Sequence, residues 1–419
     1  MSHRRRFGLL PIGAGRIPGR LARLLCLVVV VFLPTSAMRV QMRDAEAPVV
    51  RVVSVTDLGA LRGIPDNVIA RDVAATGVLG GQILWIFGDT FIKNPPLHAT
   101  PADWRSSTYA HSTLRTPFSL TEFEDSRNVP LQLIPYTQAE LDYNTQKHNP
   151  GGDRLALWPS AVLATDGEDA EIIYTKIHVL GPLNFQMMGV GIAHIAIGQG
   201  HATRNFSRDA DSGLTFRGSV RPFGSSGGQL VRDPDFDTIY LYSCTNALAD
   251  NCFIARVRAP HGSTDAVWQP LLLNPAAYQT WNGQRWVSDL SQARPATHLQ
   301  ASGVGWSMAW NPYVRNARTG RLGAFIGLYN QIVAFGNGAL PTRNVMLVTA
   351  ASPEGPWSDP IPAFTLIPEA GQFDYAVQLH PELTSSDGTI LYATYAHPAP
   401  SKCPFCEEVK AVRIQIQQT

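Results

Sequence analysis

Arg71-Asp72-Val73-Ala74-Ala75-Thr76-Gly77-Val78-Leu79-Gly80-Gly81-Gln82-Ile83-Leu84-Trp85-Ile86-Phe87-Gly88-Asp89-Thr90-Phe91 holds two runs of aliphatic, β-branched and aromatic residues joined by a glycine pair. Glycine tolerates the positive φ that a two-residue hairpin turn demands, so the stretch reads as an antiparallel hairpin turning at Gly80-Gly81. Leu79 then pairs with Gln82, and counting outward sets Asp72 opposite Asp89. A turn register one residue different would send the two acids to opposite faces.

The same form recurs along the chain. Helical periodicity is scarce after residue 50, whereas short β-branched and aromatic runs alternate with turns containing Gly or Asp. After the first segment (71–79 and 82–87) come 159–164, 171–176 and 190–197. These are followed by 228–232, 238–243 and 253–257, then 307–314, 324–329 and 345–349, and last 375–383, 389–395 and 410–416. Five such units predict an all-β chain folded as a five-bladed β-propeller, with 49–55 completing the last blade. A β-sandwich is the competing fold. The irregular spacing excludes an array of identical modules. Residues 94–150 and 258–300 read as long insertions that shape a binding face.

Composition bounds the chemistry. The 419 residues are 45% apolar and 16% charged, which suits a globular chain with a large core, and the formal charge is +1. That balance offers no field for nucleic acid or an anionic membrane, and a neutral substrate fits better.

Residues 1–37 combine several arginines with the apolar run Leu24 to Leu33 and then Pro34-Thr35-Ser36-Ala37, the pattern of a secretory signal peptide. The apolar run is shorter than the roughly 20 residues a spanning helix needs, so no stable membrane insertion is expected. A short segment, 38–48, would lead into a single domain at 49–419. The expected location is therefore secreted and extracellular.

Export removes Cys26 and leaves Cys244, Cys252, Cys403 and Cys406, for which two local disulfides are the simplest account. A four-thiolate zinc site built from both pairs is the alternative. Asn205-Phe206-Ser207 is a formal N-glycosylation acceptor.

Two opposed acids in a strand pair have β-carbons about 4.5–5.5 Å apart and repel unless one keeps its proton or a cation intervenes. Carboxyls pushed to different protonation states are what glycosidic cleavage uses, one protonating the leaving oxygen and the other attacking or activating water. Asp72 and Asp89 are therefore the candidate catalytic pair, with Arg71 placed to hold one of them ionised. The plainer reading makes Asp89 a turn cap and Asp72 an acceptor for backbone amides.

Polar and aromatic residues at the starts of other first strands extend the candidate site: Trp158 and Ser160, Trp306, Trp310 and Asn311, and Asp374, Gln378, His380 and Glu382. Flat rings beside amides and imidazole suit a sugar, though core packing accounts for any single tryptophan equally well.

Trp85-Ile86-Phe87-Gly88-Asp89-Thr90-Phe91 after Arg71-Asp72, with Gln378-Leu379-His380-Pro381-Glu382-Leu383 and Ile390-Leu391-Tyr392-Ala393-Thr394-Tyr395, resembles domain of unknown function 4185. That family is also grouped as glycoside hydrolase family 183, the endo-D-arabinofuranases, and the resemblance spans roughly residues 50 to 417. It implies a five-bladed propeller that cuts a furanose polymer such as D-arabinan internally, with first-blade acids matching Asp72 and Asp89.

The expectation is thus a monomeric, secreted glycoside hydrolase acting on polysaccharide or oligosaccharide, without nucleic acid. No cofactor is called for and no metal ligand spacing is evident, although Asp and His groups near a propeller axis could hold a structural cation. A non-catalytic carbohydrate-binding or surface-interaction propeller is the alternative. A sialoside hydrolase would need an arginine cluster that the sequence lacks.

Overall fold

The hairpin at Gly80-Gly81 forms in the expected register, with Leu79 paired to Gln82 and Ala74 to Phe87. The computed structural model describes residues 49–92, 104–147, 153–181, 184–204, 213–218, 221–233, 235–245, 251–296, 298–299, 301, 305–335, 338–403 and 406–419. The expected signal (1–37), the segment 38–48 and the acceptor at Asn205 lie outside the described residues.

Strand β1 (Val50–Ala60) is followed by β2 (Val68–Arg71), β3 (Ala74–Leu79), β4 (Gln82–Phe87), β5 (Thr90–Ile92), β6 (Trp104–Arg105), β7 (Thr108–Thr113), β8 (Thr116–Glu122) and helix α1 (Gln138–Lys147). Next come β9 (Arg154–Ala164), β10 (Asp169–Gly181), β11 (Asn184–Ala196), β12 (Thr203–Arg204) and β13 (Leu214–Arg217). The third group is β14 (Gly228–Arg232), β15 (Phe236–Cys244), β16 (Cys252–Pro260), helix α2 (Asp265–Leu272), β17 (Gln279–Trp281) and β18 (Trp286–Val287). The last two groups are β19 (Trp306–Arg315), β20 (Leu322–Phe335), β21 (Gly338–Ala350) and β22 (Ile361–Thr365), then β23 (Tyr375–Leu379), β24 (Ile390–Pro398) and β25 (Glu407–Gln418).

Each group is an antiparallel meander. The sheet orders are β3-β4-β7-β8, β9-β10-β11-β12 with β13 on β11, β14 through β18, β19 through β22, and β23-β24-β25-β1, besides a small sheet β2-β5-β6. First strands touch in turn, β3 against β9, β9 against β14, β14 against β19, β19 against β23 and β23 against β3. Strand β1 pairs with β25 from Val50–Gln418 to Ala60–Lys410, so the expected completion of the last sheet by an N-terminal strand is observed.

Inner strands bury apolar residues on both faces, and a separate core fills each gap between neighbouring sheets. Between the first and last sheets, Ala74, Trp85 and Phe87 pack on Val409 and Ala411. Between the first and second, Leu84 and Ile86 pack on Ile172 and Tyr174. Trp85 is fully buried, and truncating a ring so placed costs about 3–5 kcal/mol.

Three expectations need correction. Residues 94–150 are more than a loop, because β6, β7, β8 and α1 lie within them, and β7 and β8 complete the first sheet. Likewise 258–300 contains α2 and the short strands β17 and β18. The strand expected over 375–383 stops at Leu379, since Pro381 has no N–H for the ladder and opens a 3-10 turn. Both local disulfides form, Cys244–Cys252 across β15 and β16, and Cys403–Cys406 just before β25.

Candidate active site

Between β2 and β3 the chain kinks at Val73, whose φ is +46°. A β-branched residue in the left-handed region carries strain of about 1–3 kcal/mol, which the surroundings must enforce. Here the enforcement is local: the Asp72 amide donates to the Asp89 carbonyl at 3.1 Å, and the Gly88 amide donates to the Asp72 carbonyl at 2.9 Å. Asp72 and Asp89 are thus cross-strand neighbours, as the turn register requires. A Cβ at Gly88 would collide with Asp72 Oδ1, so any larger residue there would displace that carboxyl.

The two carboxyls meet different surroundings. Asp89 is ion-paired with Arg154, the first residue of β9, and accepts a 2.9 Å hydrogen bond from Trp158 Nε1. Among the described residues Asp72 forms no ion pair, although the Arg154 charge still reaches it; Tyr375 Oη lies 3.4 Å from its Oδ2. Burial first, then the charges of Asp89 and Glu407, push the Asp72 pKa well above the ordinary carboxylate range. Glu407, the first residue of β25, accepts a 2.8 Å bond from Tyr375 Oη, and burial raises its pKa as well. One acid is therefore inclined to keep its proton while its neighbour is paired with a guanidinium, an arrangement able to give and take protons at one place.

Aromatic rings border the acids. Trp158 meets Phe185 edge-on at 5.3 Å, and Phe185 is 48% exposed. Trp104 stacks on Phe91 at 4.9 Å and lies 5.3 Å from the Arg154 guanidinium. The Asp89 side chain keeps 11% of its surface exposed.

Of the other residues expected here, only Trp158 joins the acids. Arg71 is buried in a bidentate pair with Glu122, at 2.6 and 3.1 Å, and lies over the Phe87 ring. It holds neither aspartate, because Glu122 already satisfies its fork. Trp306 is core, edge-on to Tyr242 and Trp357. Asn311 is buried, donating to the Gly388 carbonyl and accepting from the amides of Tyr313 and Val314. Trp310 is half exposed against Gly323, toward the β19–β20 hairpin end.

His380 has no exposed surface; its nitrogens contact Thr76 Oγ1 at 2.6 Å and Thr394 Oγ1 at 2.8 Å, and burial pushes its pKa down to about 3. It is a neutral structural group. Asp374 pairs with His397 at 2.8 Å.

Ser160, Trp306, Gln378 and Glu382 border a different space, a cavity of about 530 Å³ running along the first strands past Thr76, Gly228 and Ser307. Asp72 and Asp89 are not among its lining residues.

Sequence reasoning missed Arg154, Tyr375 and Glu407 as members of the site. Glu407 had a detectable signal: it shares the strand phase of Val409 and Ala411, both buried, so an acid faces inward where an apolar residue would. Arg154 likewise stands at the head of the run Leu155-Ala156-Leu157. Tyr375 carried no signal distinguishing it from an ordinary strand aromatic.

The fold and the site together define an all-β protein bearing a cluster of carboxyl groups where its first strands begin. The family model for the domain of unknown function (DUF4185) matches residues 52–405, and the chain belongs to that family.

Among solved structures, a protein of Bacteroides ovatus described as a candidate hydrolase shares the fold at 15% identity, covering 82% of this chain and 85% of its own, with a TM-score of 0.52. The catalytic domain of the Coprinopsis cinerea GH62 α-L-arabinofuranosidase matches at 10% identity over 87% and 97% of the two chains, TM-score 0.45. A family 117 glycoside hydrolase of Zobellia galactanivorans matches at 12% identity over 89% and 92%, TM-score 0.43. No curated protein matches the chain.

Proposed function

We propose that the protein is a secreted glycoside hydrolase, built as a five-bladed propeller, that cuts a furanose polymer such as D-arabinan internally. The observation that carries this reading is the opposition of Asp72 and Asp89 in unlike surroundings. Asp72, pushed toward its protonated form by burial and neighbouring charge, would donate to the leaving glycosidic oxygen. Asp89, aligned by Arg154 and Trp158, would act as nucleophile or would activate water. The face of Trp158 and the exposed ring of Phe185 suit a sugar, whose faces are apolar and whose edges carry hydroxyls.

Two supports bear on the architecture: the succession of contacts between first strands, and a core in every gap between sheets. Among the described residues no helix is long and apolar enough to cross a membrane, and the two disulfides suit the oxidising compartment to which a secreted monomer would go.

The test is to incubate the purified chain lacking residues 1–37 with a panel of arabinans and follow oligosaccharide release. Release that is lost in folded Asp72→Asn and Asp89→Asn proteins is expected. Glycan binding without product over long incubation would overturn hydrolysis in favour of a carbohydrate-binding protein.

A further inference from the structure

Away from the acids described above, Glu171 and His194 are direct cross-strand partners on β10 and β11, which puts both side chains on one face of the second sheet. Asp169 lies two residues before Glu171 on β10 and so shares that face. Against it packs α2, whose first residue is Asp265.

The imidazole is the hub. Its Nδ1 lies 3.4 Å from Glu171 Oε1 and 3.5 Å from Asp265 Oδ2, and its Nε2 lies 3.4 Å from Asp169 Oδ1. One ligating atom from each of Glu171, His194 and Asp265 falls within 4.8 Å of the others.

Hydrogen bonding alone explains this poorly. One ring N–H serves one carboxylate well, at about 2.7–2.9 Å when charge-assisted, yet here the same nitrogen stands nearly equidistant from two, with only a long 3.4 Å hydrogen bond to Glu171. Asp265 Oδ1 is buried with no hydrogen-bond partner, and the Glu171 side chain is 1% exposed. Nearby Asp166 is already engaged by the backbone amides of Glu168 and Asp169. One buried carboxyl, Glu171, and two partly exposed ones, Asp169 and Asp265, crowd negative charge around a single imidazole, which is costly where water is excluded.

A cation at the centre resolves both problems. Ligands held about 2.1 Å from a tetrahedral zinc ion stand about 3.4 Å apart along the tetrahedron's edges, the spacing found between Nδ1 and the two carboxylates. Asp169 on Nε2 then has the place of the outer carboxylate that fixes the tautomer of a metal-bound histidine.

We propose that Glu171, His194 and Asp265 form a divalent-metal site, taking zinc with water as fourth ligand, that fastens helix α2 to the second sheet. An imidazole nitrogen among so few ligands favours zinc over calcium, which takes six to eight oxygens.

The test uses chelator-treated protein titrated calorimetrically with zinc chloride and, separately, with calcium and magnesium chloride, with bound metal counted by mass spectrometry. One zinc per chain is expected, with a zinc-dependent rise in Tm. Affinity should fall at least 100-fold in His194→Ala and Asp265→Asn, and about 10–100-fold in Asp169→Asn. Asp265 is a surface-side residue, so its variant keeps the test valid if His194→Ala fails to fold. Absence of zinc binding, binding unchanged in Asp265→Asn, or calcium bound in preference to zinc would each overturn the proposal. None of these readouts depends on hydrolysis.

Discussion

Tyr375 and Glu407 are joined by a 2.8 Å hydrogen bond from the phenol to the carboxyl. The same phenol oxygen lies 3.4 Å from Asp72 Oδ2, so the last sheet reaches across to the acid of the first. Burial, then the charges of Asp72 and Glu407, push the Tyr375 pKa well up and keep it a neutral donor.

Replacing Glu407 with Gln removes one of the charges that raise the Asp72 pKa. If Asp72 is the acid, activity falls as pH rises through its folded pKa, and that alkaline limb should move to lower pH in Glu407→Gln. A kcat/KM profile against pH measures it. An unmoved limb would separate Glu407 from the chemistry.

Val73→Gly should split stability from activity. Glycine relieves strain of about 1–3 kcal/mol at φ +46° and loses about 0.5–1 kcal/mol through chain entropy. The expected Tm is unchanged or slightly raised, while kcat falls about tenfold as Asp72 loses its fixed direction. Gly88→Ala should act on the same carboxyl by collision and lower kcat about 100-fold with the secondary structure retained.

Arg71→Ala leaves Glu122 buried and unpaired, because both side chains of that pair are at most 2% exposed. Chemical denaturation should show a loss of about 3–5 kcal/mol. Activity per folded molecule should survive, since Arg71 touches neither aspartate; in Arg154→Ala it should not.

Glu382 sets a pH dependence of stability. Burial pushes its pKa up to about 7. Between about pH 4.5 and 7 the native state holds a proton that the unfolded chain has released, so this contribution to stability is lost as pH rises. His380, 3.8 Å away, works in the opposite sense: its pKa is pushed down to about 3, so acid favours the unfolded chain below about pH 6.5. The Tm of Glu382→Gln minus that of the parent cancels the histidine effect and should grow across pH 4.5–7, by the equivalent of about 2–3 kcal/mol.

How far the site was legible follows from the range of each interaction. Asp72 and Asp89 could be paired from the residues alone because a glycine turn and a period of two set the hairpin register within one short stretch. Trp158 was legible as an aromatic at a strand start. Arg71 misled because adjacency to Asp72 in the chain suggested a partnership that strand geometry forbids: neighbouring side chains point to opposite faces, and Arg71 turns to Glu122. Trp306 and His380 misled because a ring at the start of a strand looks alike whether it faces a cleft or a neighbouring sheet. His194 and Glu171 went unnoticed because their pairing depends on the long β10–β11 register, and their meeting with Asp265 on the docking of α2.

By itself the sequence determined the all-β class, the places of most strands, the strand that completes the last sheet, both cysteine pairs and the opposition of Asp72 to Asp89. Turn chemistry and alternation act between near neighbours, so their consequences can be counted along the chain. Only the tertiary structure decided that Arg154 pairs with Asp89, that Glu407 and Tyr375 stand beside Asp72, and that Arg71, Trp306 and Asn311 belong to the scaffold. Those outcomes depend on how separate sheets pack against one another, and close packing brings together side chains whose positions in the chain carry no record of their meeting.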